Sequence, residues 1–158
     1  MLPSSVSGVV PIEEMRGDDQ EDTALLRASY EKAEAFLLGQ KWCFGFGDVY
    51  FGDGVGGVVS VFLVRIDPVP TGVDQWLWVI VGDLPPAYLV IDQSPTPVDA
   101  LKCYIAEIRR WVSLAHESKT SSDVIPTNVP AAPEFAEKLD IRVNLLEEVI
   151  IPLLESRK

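Results

Sequence analysis

A single histidine, two cysteines and two methionines leave this chain of 158 residues short of the side chains on which most catalytic and metal-binding devices rest. A Ser-His-Asp or Cys-His device needs a nucleophile and an orienting group near the histidine, and no spacing around His116 suggests one. Zinc takes three or four N or S ligands, so one histidine argues against such a site. Cys43 and Cys103 lie far apart, which argues against a disulfide framework and predicts two reduced thiols. No apolar run reaches the ~18 residues that span a bilayer. The opening MLPSSVSGVVPIEE lacks the basic start and clean apolar stretch of a secretion signal. These absences predict a cytoplasmic protein that is not an enzyme and has no catalytic residues, cofactor or metal.

Bases are scarce as well. Thirteen Lys and Arg face twenty-four Asp and Glu, a formal charge of −11. Such a surface repels nucleic acid and anionic lipid and steers basic partners toward itself. Solubility is the plainer consequence of the same charge.

Apolar residues are plentiful, at 47% of the chain, enough for an ordinary packed core. The most structured stretch is Trp76 to Asp92, WLWVIVGDLPPAYLVID. Pro85 and Pro86 donate no backbone hydrogen bond and fix φ, so two apolar runs are joined there by a rigid corner, Gly82–Pro86. Upstream, Trp42 to Phe51 is aromatic-rich and Val58 to Ile66 is β-branched. Gly52-Asp53-Gly54-Val55-Gly56-Gly57 lies between them. That run matches G-x-G-x-x-G, but the phosphate-binding version needs a helix after it, and VVSVFLV comes next. It reads as a hairpin connection.

A helix is predicted from about Asp22 to Gly39, with Leu25, Leu26, Ser29, Tyr30, Ala33, Phe36 and Leu37 at helical spacing. Thr96, Pro97 and Asp99 form a capping-box-like start for a second. Its apolar face runs through Val98, Leu101, Tyr104, Ile105, Ile108, Trp111, Val112 and Ala115. A third, from about Pro133 to Leu154, is expected to bury Phe135, Leu139, Val143, Leu146, Val149, Ile150 and Leu153, with a kink or fraying at Pro152. The predicted fold is α+β, a four-stranded antiparallel meander sheet with one N-terminal and two C-terminal helices, in the order α-β-β-β-β-α-α. Residues 1–22 read as a flexible acidic arm, with six acids against Arg16, a net of −5. Residues 23–158 read as a single domain.

Trp76 and Trp78 share one sheet face with Ile80, while Leu77, Val79 and Val81 line the other. The strand is therefore either covered on both faces or open to a partner on one. The acids recur at strand ends and turns, where Asp accepts hydrogen bonds from nearby amides.

The run Trp78-Val79-Ile80-Val81-Gly82-Asp83-Leu84-Pro85-Pro86-Ala87-Tyr88-Leu89 resembles a W-V-V-V-G-D-L-P-P-A-Y-L signature of small uncharacterised bacterial proteins. The resemblance extends through Ala100-Leu101, Tyr104, Trp111-Val112, Ile125-Pro126 and Val129-Pro130, and leaves residues 1–41 outside it. It implies a compact bacterial domain, similar in size and acidity to toxin-immunity proteins, and it brings no activity and no functional residue.

Together these features point to a non-enzymatic acidic binding protein, an immunity protein that neutralises a basic bacterial toxin by direct contact. Asp48, Asp53, Asp74 and Asp83 are the expected partner-binding acids, and Asp18, Asp19, Glu21 and Asp22 the expected steering acids. The rival reading is a small ligand-binding domain or enzyme that uses the Gly82–Pro86 corner, with Asp83 and Tyr88 close by. A homodimer built on an exposed sheet or helix face is a further alternative.

Overall fold

A computed structural model describes residues 2–127 and 129–157. It shows a mixed α and β chain whose sheet has five antiparallel strands in sequence order. They are β1 (Val10–Pro11), β2 (Phe46–Val55), β3 (Val59–Ile66), β4 (Trp76–Gly82) and β5 (Ala87–Val90). The helices are α1 (Gln20–Leu38), α2 (Pro97–His116), α3 (Pro133–Leu145) and α4 (Ile151–Ser156), the last two joined through a π turn at Leu146–Ile150. The meander expected from short turns is present, with one strand more than the four predicted. Residues 23–158, taken together from the sequence, fall into parts of two compact units, Met1–Ala100 and Leu101–Lys158.

In the first unit, β3 and β4 carry the longest runs of buried residues in the sheet. Their register, Phe62 opposite Val79 and Leu63 opposite Trp78, sorts side chains to two faces. One face meets α1. Leu26, Ala33 and Leu37 of the helix cluster there with Phe62, Val64, Ile66, Leu77, Val79 and Val81. On the other face Trp78 and Ile80 are also buried, so β4 is covered on both sides. The Trp78 indole, its ring fully enclosed, donates to the Ser94 carbonyl at 2.8 Å, which meets the need of a buried N–H.

The glycine-rich run is divided between strand and turn. Gly52-Asp53-Gly54 belongs to β2, with a register shift between Phe51 and Asp53. Only Gly56 and Gly57 form the hairpin tip, closed by the Val58 amide donating to the Val55 carbonyl at 3.0 Å. Gly57 has φ +80°, which a side chain would resist. The next element is a strand, as the hairpin reading requires. The Gly82–Pro86 corner joins β4 to β5, and the Asp83 amide donates to the Val58 carbonyl at 2.9 Å, tying the corner to the hairpin.

The segment expected as a flexible arm is built into this unit. Val10 and Pro11 pair with Phe51 and Tyr50 of β2, and Met15 is buried in the core. Helix α1 starts two residues earlier than expected because Asp19 is its N-cap, accepting from the Asp22 amide at 2.8 Å. Leu25, assigned to the apolar face, is instead exposed.

The capping box of α2 forms as predicted. Thr96 Oγ1 accepts from the Asp99 amide at 3.2 Å and donates to Asp99 Oδ2 at 2.8 Å.

In the second unit, every residue assigned to the apolar face of α2 from Leu101 to Ala115 is buried. Arg109 reaches Asp140 at 3.6 Å, Asn144 at 3.1 Å, and Glu147. The third helix departs from expectation at Pro152, whose missing N–H cannot serve Glu148. The Ile151 amide donates five residues back, to the Leu146 carbonyl, and the chain then continues helical to Ser156. The π turn rotates the last part of the helix about its axis, so Val149 and Leu153, expected in the core, are exposed, while Leu154 is buried.

Candidate functional site

Charged and aromatic side chains gather where β2 begins. Alternation along this strand sends Val49 and Phe51 to the core and leaves Asp48 and Tyr50 outside it. A register shift between Phe46 and Val49 interrupts the pairing just there, the kind of irregularity that re-aims side chains at functional sites. Gly47 makes room for a neighbour, since a Cβ at that position would lie 2.6 Å from Arg65 Cζ. The guanidinium therefore crosses β2 and reaches Asp48 at 3.4 Å and Asp67 at 3.5 Å. One cation is shared by two carboxylates, and the group stays net negative. Beyond it, the Tyr50 and Trp76 rings meet edge to face with centroids 6.1 Å apart.

β1 pairs no farther along β2 than Tyr50, so Gly47 to Val49 have no β1 residue opposite them. Beside that open stretch is a hollow of about 240 Å³, lined by Pro11, Glu13, Tyr30, Asp48 and Tyr50 among others. Burial raises the Tyr30 phenol pKa above its ordinary value, and the Glu34 carboxylate, by charge and hydrogen bond, and then Glu13 raise it further. Two carboxylates and a neutral phenol thus converge on one concavity. Its chemistry suits an incoming ammonium or guanidinium, with aromatic rings to cover the aliphatic stem.

The predicted partner-binding acids divide between the two ends of the sheet. Asp48 lies at the hollow, and Asp74 is exposed in the β3–β4 connection at the same end. Asp53 and Asp83 lie at the hairpin end, where Val59 pairs with both Val55 and Gly82. Asp53 lies within β2 rather than in a turn, and its Oδ1 accepts from the Gly54 amide at 2.9 Å.

Of the expected steering acids, Asp18, Asp19 and Glu21 are exposed and Asp22 is half-buried, and the Asp19 and Asp22 carboxylates accept from backbone amides. Asp22 Oδ2 accepts from the Asp18 amide at 2.8 Å and Oδ1 from the Gly56 amide at 2.7 Å. Glu13, Tyr30 and Tyr50 were not singled out by sequence reasoning. Glu13 sits in the single 3-10 turn Ile12–Glu14 that follows β1, too short to leave a pattern, and Tyr30 reads as core by helical spacing.

Among the described residues no helix is long and apolar enough to cross a membrane. No protein-family model matches this chain, and no curated protein or solved structure matches it.

Proposed function

We propose that this chain is a non-enzymatic binding protein of the immunity type, acting in the bacterial cytoplasm, which captures a basic toxin through the open edge of β2. The observation that supports this reading is the hollow in which Glu13, Asp48 and Tyr30 converge beside the Tyr50–Trp76 ring pair. A lysine or arginine of the partner enters the hollow, and the two rings form the apolar anchor next to it, the combination found at interface hot spots. The chain's −11 charge speeds the encounter.

Co-expression tests this. A basic toxin encoded beside this gene is expressed with the wild-type chain or with a Glu13→Gln/Asp48→Asn variant. Rescue by the wild type and loss of rescue by the variant, at equal soluble levels, is the expected outcome. Failure of the wild type to bind or rescue removes the proposal.

A further inference from the structure

We propose that a second face, on the C-terminal helical segment, docks a cationic amphipathic helix of a partner protein. The face is the row Ile141, Leu145, Val149 and Leu153, which are 70%, 45%, 52% and 40% exposed. Single exposed apolar residues are ordinary on a protein surface, but a contiguous row marks an interaction site.

The row is held in line by the π turn. In an uninterrupted α-helix, each four-residue step rolls about 40° around the axis, because a residue advances about 100°. Three steps would carry Leu153 well away from Ile141. The extra residue accommodated at Leu146–Ile150, marked by the Ile151 amide bonding to Leu146, reverses part of that roll. The row then extends for about 18 Å along one side, from its twelve-residue span and a rise of 1.5 Å per residue. A four-residue row of this kind packs between the equivalent ridges of a second helix at a crossing angle near −50°.

Charge at the rim selects the occupant. Asp140 and Glu147 pair with Arg109, and Glu155 pairs with Lys102. Glu134, Glu137 and Glu148 on the same segment are exposed and form no ion pair among the described residues. Lys138 lies over the Phe135 ring, 5.6 Å from its centroid. From Pro133 to Ser156 six acids stand against Lys138 and Arg142, so a second copy of this chain would bring net negative charge against net negative charge. An anionic lipid surface would meet the same repulsion. A helix with an apolar stripe and flanking lysines or arginines satisfies both the row and its rim.

The probe is a fluorescein-labelled synthetic helix of leucine and lysine with its leucines on one face, and its control is a scrambled peptide of the same composition. Both are titrated with the full chain and followed by anisotropy. The wild type should bind the amphipathic peptide at least about tenfold more tightly than the scrambled one, a difference of about 1.4 kcal/mol. A Leu145→Gln/Val149→Gln variant should lose about tenfold or more of that affinity. Ile141→Gln, at the most exposed position, should lose part of it and serves as the readout if the double variant misfolds. No binding, equal binding of the two peptides, or binding untouched by these substitutions would overturn the proposal. Light scattering that finds a wild-type dimer converted to monomer by Ile141→Gln would also overturn it, and would give the row to a second copy.

Discussion

Asp22 and Gly56 join the start of α1 to the tip of the β2–β3 hairpin: the Asp22 carboxylate accepts the Gly56 amide at 2.7 Å across thirty-four residues of chain. The same carboxylate holds the Asp18 amide on its other oxygen. A Cβ at Gly56 would lie 2.6 Å from Asp22 Oδ1 and 2.7 Å from Leu25 Cβ, so the approach depends on glycine. Asp22→Ala should cost about 1–3 kcal/mol, the range for orphaned backbone amides, here those of Asp18 and Gly56. Gly56→Ala should cost about 1–3 kcal/mol through overpacking. Urea unfolding of the two single variants and the double variant measures both, and the double variant should cost less than the sum, because the residues share one contact.

That contact bears on the acidic segment as an electrostatic guide. Replacing Asp18, Asp19, Glu21 and Asp22 together by alanine would remove charge and, at Asp19 and Asp22, the carboxylates that accept three backbone amides. Glu21, exposed in the first turn of α1, changes charge alone, and its effect on association is the cleaner readout of steering.

Ser60 carries the buried hydroxyl oxygen that finds no partner among the described residues. It lies in β3 opposite Val81 and is fully enclosed. An unmet buried hydroxyl costs about 1–3 kcal/mol, so Ser60→Ala should stabilise the fold by about 1 kcal/mol. Denaturant midpoints compare the two proteins, and a loss of stability would show that the hydroxyl is satisfied.

Much of this architecture is legible in the sequence, and the misses share a physical form. The apolar face of α2 is read correctly because a 3.6-residue period runs from Val98 to Ala115 without a breaker. The hairpin, the rigid corner and the two-sided burial of β4 come from glycine, proline and strand alternation. β1 is missed because two residues carry no period, and Ser, Pro and acidic neighbours read as loop. Val149 and Leu153 are misplaced because one extra residue in a π turn rotates the second half of the last helix. The hollow depends on Glu13, Tyr30 and Asp48 meeting from three separate elements, which no local pattern records.

The end of α2 stores a small correctable strain. Ser118 has φ +54°, and the Lys119 amide donates to the Leu114 carbonyl at 2.8 Å, a helix stop that glycine usually makes. Ser118→Gly should raise stability by about 0.5–1 kcal/mol, the left-handed penalty less the added freedom of the unfolded glycine. Thermal melts read this directly, and Ser118→Val should move them the other way.

Tyr104 is fully buried, and burial pushes its phenol far above the ordinary tyrosine range. The folded pKa lies above the unfolded value of about 10, so the unfolded chain releases this proton first. The contribution is therefore fully present below about pH 10 and is lost as pH rises beyond it, by about 1.4 kcal/mol per pH unit. Ultraviolet difference titration of the four tyrosines should find one that ionises only as the protein unfolds. A phenol at Tyr104 that titrates normally in the folded chain would place it in water.

The central claim is that one end of the sheet, and not acidity at large, binds the partner. The most direct measurement is the Kd for the basic toxin of two variants with equal charge change. One is Glu13→Gln/Asp48→Asn at the hollow, and the other is Asp53→Asn/Asp83→Asn at the hairpin end. The expected result is a loss of about a hundredfold for the first, some 2.7 kcal/mol, and less than about threefold for the second. Equal losses, or the larger loss at the hairpin end, would contradict it.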